Sequence, residues 1–267
     1  MNLQAAQLSA VRAAQAVGQL MRRHLHAHKR ANVVTQHDIK LELDVRSQQL
    51  IEKSLRIRFP EVSLLGEEGI VGDPNAQYRW VVDPIDGTVN FAYTIPHACV
   101  SIALQRRASK RAGSVYEDGY ETLVGVVYDP FCAELWTGIV GGPARLNGKA
   151  VRVSQRRRLD EAIVSIGFAK SKESLAATLP YFNKLVYRVR KVRMMGAAAL
   201  ALTYVASGRF DGYIERGIRI WDIAAGGLIV ECAGGEFWRK AADSDHTYRM
   251  VCSNGLLRRA LAVPWSR

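Results

Sequence analysis

The chain is sparing with cysteine: four in 267 residues, Cys99, Cys132, Cys232 and Cys252, with no Cys-x-x-Cys pair. That spacing argues against a disulfide framework or a zinc site, and for a reducing compartment. No apolar run reaches the roughly 20 residues a membrane helix needs, and no repeat or low-complexity segment breaks the sequence. Acidic residues are missing before Asp38, while Arg12, Arg22, Arg23, Lys29 and Arg30 are present. An acid-poor amphipathic start can be a transit peptide. The spacing of Leu8, Val11, Ala14, Val17 and Met21 instead predicts an ordinary first helix, and with it a cytoplasmic protein.

Acid is scarce overall: 25 Asp and Glu stand against 37 Lys and Arg, a formal net charge of +12. Such a balance favours anionic partners, among them phosphorylated metabolites, acidic proteins and nucleic acid. Basic clusters lie at Arg22–Arg30, Arg106–Arg111, Arg156–Arg158 and Arg188–Arg193. None is interleaved with aromatics as a nucleic-acid platform would be, so nucleic acid is not the favoured partner. A solvated basic surface accounts for any one cluster.

What is present is a chain that is 48% hydrophobic, enough for one large core or two lobes sharing one. The weakest boundary is near residues 141–155, in "GGPARLNGKAV". It divides an N-terminal lobe, 1–150, from a C-terminal lobe, 151–267, packed together as a single unit. Asp38–Asp44 reads as strand-like chain before a helix over 45–59, and "VSLLGEEG" as a short buried strand. Meander strands follow in "CVSIALQ", "TLVGVVYD" and "AELWTGI", then a hairpin at Asn147-Gly148. Beyond it, strand and helix alternate. The expectations are a strand in "AIVSIGF", a helix in 173–186 broken or restarted at Pro180, and a strand near "YRVRKV". A helix over 198–207 and a strand in "FDGYIE" come next. A helix then starts near Trp221 or Asp222 and stops at Gly234-Gly235. Strands in "EFWR" and "RMVCSN" and a closing helix in "GLLRRALA" complete the chain. The order predicts an α/β fold.

The stretch with chemistry in it is "WVVDPIDGTVNF", Trp80 to Phe91. An apolar strand ends in two aspartates, Asp83 and Asp86, with Pro84 between. Two carboxylates about 4 Å apart at an effective dielectric near 20 repel by about 4 kcal/mol. A fold tolerates that if one is protonated, if cations pair them, or if they bind a metal. In a regular strand, positions three apart face opposite sides; a turn at Pro84 can bring both carboxylates together. Gly87 and Thr88 then offer backbone N–H groups where a helix could begin, a natural phosphate cradle. Carboxylates for a hard cation beside amides for a phosphate describe a Mg²⁺-dependent phosphate site. Glu67 in "GEE" and Asp222 in "WDIAAGG" are the other acids placed to join. Alone, Glu67 reads as a solvated loop acid and Asp222 as an N-cap; with "DPIDGT" they read as a set. His97 reads as a packing residue rather than a general acid.

"GEE", "WVVDPIDGTVNF" and "WDIAAGGLIVECAGG", in that order, resemble the inositol monophosphatase family of Mg²⁺-dependent, lithium-sensitive phosphatases. The likeness covers nearly the whole chain. It implies an αβαβα sandwich of two packed lobes, two to three Mg²⁺ per site, and a homodimer. It implies hydrolysis of inositol monophosphate, or of a related ester such as histidinol phosphate or fructose bisphosphate. By the same resemblance, Glu67, Asp83 and the Ile85 carbonyl would hold a first metal. Asp83, Asp86 and Asp222 would hold a second, and Glu67 would help hold a third through water. Gly87 and Thr88 would bind phosphate. Asp44 would hydrogen-bond Thr88, and that pair with Glu67 would orient the attacking water. Glu215 would accept hydrogen bonds from the substrate alcohol, and Gly196, Ala197 and Ala198 would touch it. Ala197 departs from the family's usual Thr or Ser, and "HDIKLELD" and "GFAKSK" also depart from its pattern. These put the exact alcohol in doubt, not the metal chemistry. The charge of +12 motivates one reading of another class, a phosphatase fold used as an RNA- or transcription-complex-binding module.

Overall fold

The computed structural model describes residues 1–27, 29–35, 39–108, 115–168, 172–242 and 246–262. Asn2 Oδ1 accepts from Ala5 N at 2.9 Å and starts helix α1 (Leu3–His24). An antiparallel pair, β1 (Ala31–Val34) and β2 (Ile39–Leu41), leads into α2 (Glu42–Arg56). Then come β3 (Ser63–Gly66), β4 (Gly69–Val71), β5 (Tyr78–Asp86), the short helix α3 (Thr88–Ala92), β6 (Cys99–Arg107), β7 (Tyr120–Asp129), β8 (Glu134–Ile139), β9 (Arg145–Leu146) and β10 (Lys149–Ala150). The second half holds β11 (Ile163–Ile166), α4 (Lys172–Leu185), β12 (Lys191–Arg193), α5 (Ala198–Ala206), β13 (Gly212–Arg219), α6 (Ile220–Cys232), β14 (Glu236–Ala241) and β15 (Thr247–Ser253).

Two mixed sheets result. The first has eight strands in the order β10-β9-β8-β7-β6-β5-β3-β4, and only the β3–β5 pair in it is parallel. The second has five, β12-β11-β13-β15-β14, with β11 parallel to both its neighbours. Helices α1 and α2 cover one face of the first sheet, α5 and α6 lie between the sheets, and α4 backs the second. That is the αβαβα layering expected. Three apolar clusters fill the layers, the largest around α5 and α6.

The N-terminal segment is built into the core as the expected first helix, but on a different stripe. Leu8 is 46% exposed, while Ala6, Ala10, Ala13, Ala14, Val17 and Met21 are buried. Small side chains let α1 lie close to β7; a Cβ at Gly18 would fall 2.4 Å from the Tyr128 ring. The Asn147-Gly148 hairpin forms with both residues at positive φ, 48° and 80°, as a tight two-residue turn requires.

Three expectations are corrected. Leu43 and Asp44 belong to α2, because the Asp44 carboxylate accepts from Leu41 N at 2.7 Å and starts the helix early; Asp38 lies outside the described residues. Helix α4 runs through Pro180 unbroken. The missing N–H costs it one hydrogen bond, and burial of Tyr181 and Leu185 on the second sheet offsets that. The closing segment 255–262 is a succession of turns. So short a piece cannot offset helix nucleation, and it is held by Leu257 and Leu261 in the core and by Asn254 Oδ1 accepting from Leu256 N and Leu257 N.

Candidate active site

The register of β5 against β6 answers the charge puzzle. Asp83 pairs with Ser101 and Asp86 with Cys99. Three residues of β5 thus span two of β6: one extra residue bulges at Pro84-Ile85. Ser101 and Cys99 point to one face, so the bulge turns Asp83 and Asp86 to one face as well. Asp83 Oδ1 accepts from Ile85 N at 3.0 Å, which fixes the bulge.

Neighbouring elements supply the other acids. β3 runs parallel to β5 with Gly66 beside Val82, and Glu67 N donates to Val82 O at 3.2 Å, setting Glu67 next to Asp83. Ser101 Oγ donates to Trp221 O at 3.0 Å and ties the start of α6 to β6. That delivers Asp222, whose carboxylate also accepts from Arg219 N at 2.9 Å in the first turn. The N-cap expectation for Asp222 is thus half met: it supports the helix start from inside. Asp83, Asp86 and Asp222 each bring a carboxylate oxygen within 4.8 Å of the others.

Burial and repulsion push these acids up. Asp83 is raised well above the ordinary carboxylate range, first by burial and then by the charges of Glu67, Asp86 and Asp222. Asp86 is pushed up to about 6 by burial, against hydrogen bonds from Ala199 N at 2.8 Å and Ala198 N at 3.1 Å that favour its charge. Those bonds explain how Ala197 is tolerated at the N-cap of α5, where alanine is a poor choice. The cap is Asp86, reaching in from β5. Asp44 is pushed up to about 8, again chiefly by burial.

Gly87, at φ 88°, turns the chain into α3. A Cβ there would fall 2.9 Å from His97 O and 3.1 Å from Ala197 Cβ. Gly87 and Thr88 head that helix, whose first N–H groups have no partner within it. Asn90 Nδ2 donates to His97 O at 2.9 Å and Met195 O at 2.8 Å, joining the motif to the loop before α5.

A cleft of about 390 Å³ opens here. It is lined by Glu67, Asp83, Ile85, Asp86, Gly87 and Thr88 and by Gly196, Ala197, Ala198, Glu215 and Asp222. Asp44 does not line it. The hydrogen bond expected between Asp44 and Thr88 is not formed. Thr88 follows the left-handed Gly87, and its hydroxyl turns back to donate to Ile85 O at 2.8 Å. Asp44 Oδ2 is taken by Leu41 N, and Oδ1 is buried with no partner among the described residues. The Ile85 carbonyl therefore already accepts one hydrogen bond, and Ile85 lines the cleft. His97 is partly buried and stacks edge-on to Tyr204 with centroids 6.1 Å apart; it is not part of the cleft wall. Sequence reasoning missed Asn90, Ser165 and Tyr213, which also line the cleft. Asn90 lies inside the quoted motif, and Tyr213 lies two residues before Glu215 on one strand, the spacing that shares a face.

The donor set is all oxygen: clustered carboxylates and a backbone carbonyl. That chemistry fits a hard divalent cation such as Mg²⁺ rather than a thiolate- or imidazole-bound metal.

The fold and acidic cleft define a layered α/β protein with a cluster of acids that could hold a metal, and comparison with known proteins gives the family. The chain belongs to the inositol monophosphatase family, whose model matches residues 2–261. Among curated proteins, it is 37% identical over 228 residues to "Nus factor SuhB" of Xylella fastidiosa, covering 84% of this chain and 78% of that one. It is 36% identical over 231 residues to "Inositol-1-monophosphatase" of Rhizobium meliloti, covering 84% and 81%. Among solved structures, an inositol monophosphatase from Anabaena superposes with a TM-score of 0.82 at 33% identity, over 98% of this chain and 95% of that one.

Proposed function

We propose that this chain is a Mg²⁺-dependent phosphomonoesterase acting on a small phosphorylated polyol, with myo-inositol 1-phosphate the first substrate to test. The observation that carries the reading is one cleft lined both by the Asp83, Asp86 and Asp222 cluster at the head of α3 and by Glu215. The two lobes, 1–150 and 151–267, each contribute, and we treat them as one catalytic unit.

In this reading Glu67, Asp83, Asp86, Asp222 and the Ile85 carbonyl hold two to three Mg²⁺. Bound Mg²⁺ lowers the pKa of a water and offsets charge on the phosphate and the leaving oxygen. The chain does the rest by positioning and preorganised dipoles. The backbone N–H groups of Gly87 and Thr88 donate to phosphate oxygens. Glu67 orients the attacking water. Glu215 accepts from hydroxyls of the alcohol, and Gly196, Ala197 and Ala198 shape the wall around it. No cysteine, serine or histidine nucleophile is required.

The test is phosphate release from inositol 1-phosphate, histidinol phosphate and fructose 1,6-bisphosphate, each with Mg²⁺ and with EDTA. The reading expects Mg²⁺-dependent release, highest on inositol 1-phosphate and sensitive to lithium. Preference for another ester would reassign the alcohol and keep the class. We also expect a homodimer in the cytoplasm, the first checked by light scattering.

A second reading rests on the charge of +12 and on relatives named Nus factor SuhB. In it, the chain also binds RNA or a transcription complex. A salt-dependent mobility shift would support it. The intact carboxylate set favours catalysis, since a pure binding module gains nothing from a buried like-charge cluster.

A further inference from the structure

Glu215 does not stand in the cleft as an isolated carboxylate. It lies on β13 two residues after Tyr213, so both side chains leave the same face of the strand. Tyr213 is 3% exposed, and its hydroxyl donates to Glu215 Oε2. Burial and the neighbouring carboxylate raise the phenol well above its ordinary pKa, so it remains a donor throughout the working pH range. Also packed against the carboxylate is Gly167, just beyond β11, with its N–H donating to Ile214 O at 3.0 Å. A Cβ on residue 167 would fall 1.9 Å from Glu215 Oε2 and 2.2 Å from Cδ. The Gly167 backbone is not at positive φ, so its lack of a side chain serves this approach rather than a turn.

We propose that Tyr213 and Gly167 form a clamp that fixes the direction of the Glu215 carboxylate and thereby sets which alcohol the enzyme accepts. The proposal rests on the reading of Glu215 as the group that meets the substrate alcohol. A free glutamate samples many rotamers, and ordering it on binding weakens recognition. Here Oε2 is already engaged by the phenol, and the same end of the carboxylate abuts bare backbone at Gly167. A polyol hydroxyl thus meets an acceptor whose orientation is set before binding. Tyr213 is a positioning residue in this scheme: it acts through Glu215 and touches no reacting atom.

The test compares kcat/KM for myo-inositol 1-phosphate and p-nitrophenyl phosphate in the wild type, Tyr213→Phe, Gly167→Ala, Glu215→Gln and Tyr213→Phe/Glu215→Gln. Circular dichroism melts on each variant confirm folding. The expectation is a loss on inositol 1-phosphate about fivefold larger than on the aryl ester for Tyr213→Phe, the worth of one net hydrogen bond. Gly167→Ala should show the same bias by pushing the carboxylate away from its held position, which keeps the test alive if one variant misfolds. The double variant should discriminate no more than Glu215→Gln alone, because Tyr213 then has nothing to position. Equal losses on both substrates for Tyr213→Phe and Gly167→Ala, or additive effects in the double variant, would overturn the clamp while Glu215→Gln still discriminates. If Glu215→Gln itself showed no bias, the role of Glu215 would fall and the clamp with it.

Discussion

Asp83 is 2% exposed, and the charges that act on it, from Glu67, Asp86 and Asp222, share its sign. Without a cation that arrangement opposes folding; with one it is a ligand set. Asp83→Asn removes a charge while keeping an oxygen to accept from Ile85 N. In the metal-free protein the melting temperature should stay level or rise. Turnover should fall by about a thousandfold or more, the upper range for losing one preorganised electrostatic contact. Differential scanning calorimetry in EDTA and a phosphate-release assay measure the two. A variant that keeps a tenth of wild-type turnover would show that Asp83 holds no essential metal. At this scale the sequence was informative because like charges three apart at the end of an apolar strand need a reason. It was silent on Tyr213 and Asn90, since neither carries a charge that calls for explanation. It misled on Asp44 and Thr88, whose side-chain partners depend on where helices α2 and α3 begin.

Elements place the acids. The bulge in β5, the parallel β3–β5 pair and the starts of α5 and α6 converge on one end of the first sheet. The left-handed turn at Gly87 is the joint among them. Gly87→Ala would force a side chain to φ 88° and to 2.9 Å from His97 O. It should cost at least about 1–2 kcal/mol of stability from the backbone term alone. A urea titration reads that cost as a lower midpoint at unchanged slope. A Gly87→Ala variant as stable as the wild type would mean that the turn relaxes freely and is no fixed part of the phosphate cradle. Most elements were legible from period and turn residues. The bulge was legible only as a suspicion about Pro84, because a register shift is a property of two strands and β6 had to be seen beside β5. Pro180 and the final turns were misjudged for the same reason: packing against the second sheet decides both, and local propensity does not record it.

For the whole molecule, the buried acids make stability depend on pH and on metal together. Asp44 is pushed up to about 8 and Asp86 up to about 6, and Asp83 is raised well above the ordinary carboxylate range by burial and its neighbours. Unfolded carboxylates titrate near pH 4. Between there and about pH 8 the folded chain therefore holds more protons than the unfolded one, and stability falls as pH rises. In EDTA the urea midpoint should be lower at about pH 8 than at about pH 5.5. Mg²⁺ should raise the midpoint more at the higher pH, because it binds the deprotonated set. A metal-free midpoint that climbs over that range would contradict the burial of these acids. The layered fold and the family were legible from motif order across nearly the full chain; the alcohol was not, since it depends on the wall around Glu215 and Ala197. The central claim is that these carboxylates build a Mg²⁺ site for phosphate-ester hydrolysis. Its most direct test is phosphate release from myo-inositol 1-phosphate by EDTA-stripped protein as Mg²⁺ is added back, with Asp83→Asn run alongside. The account predicts no release without metal, saturable recovery in the wild type and none in the variant. Equal release in EDTA, or equal recovery in Asp83→Asn, would contradict it.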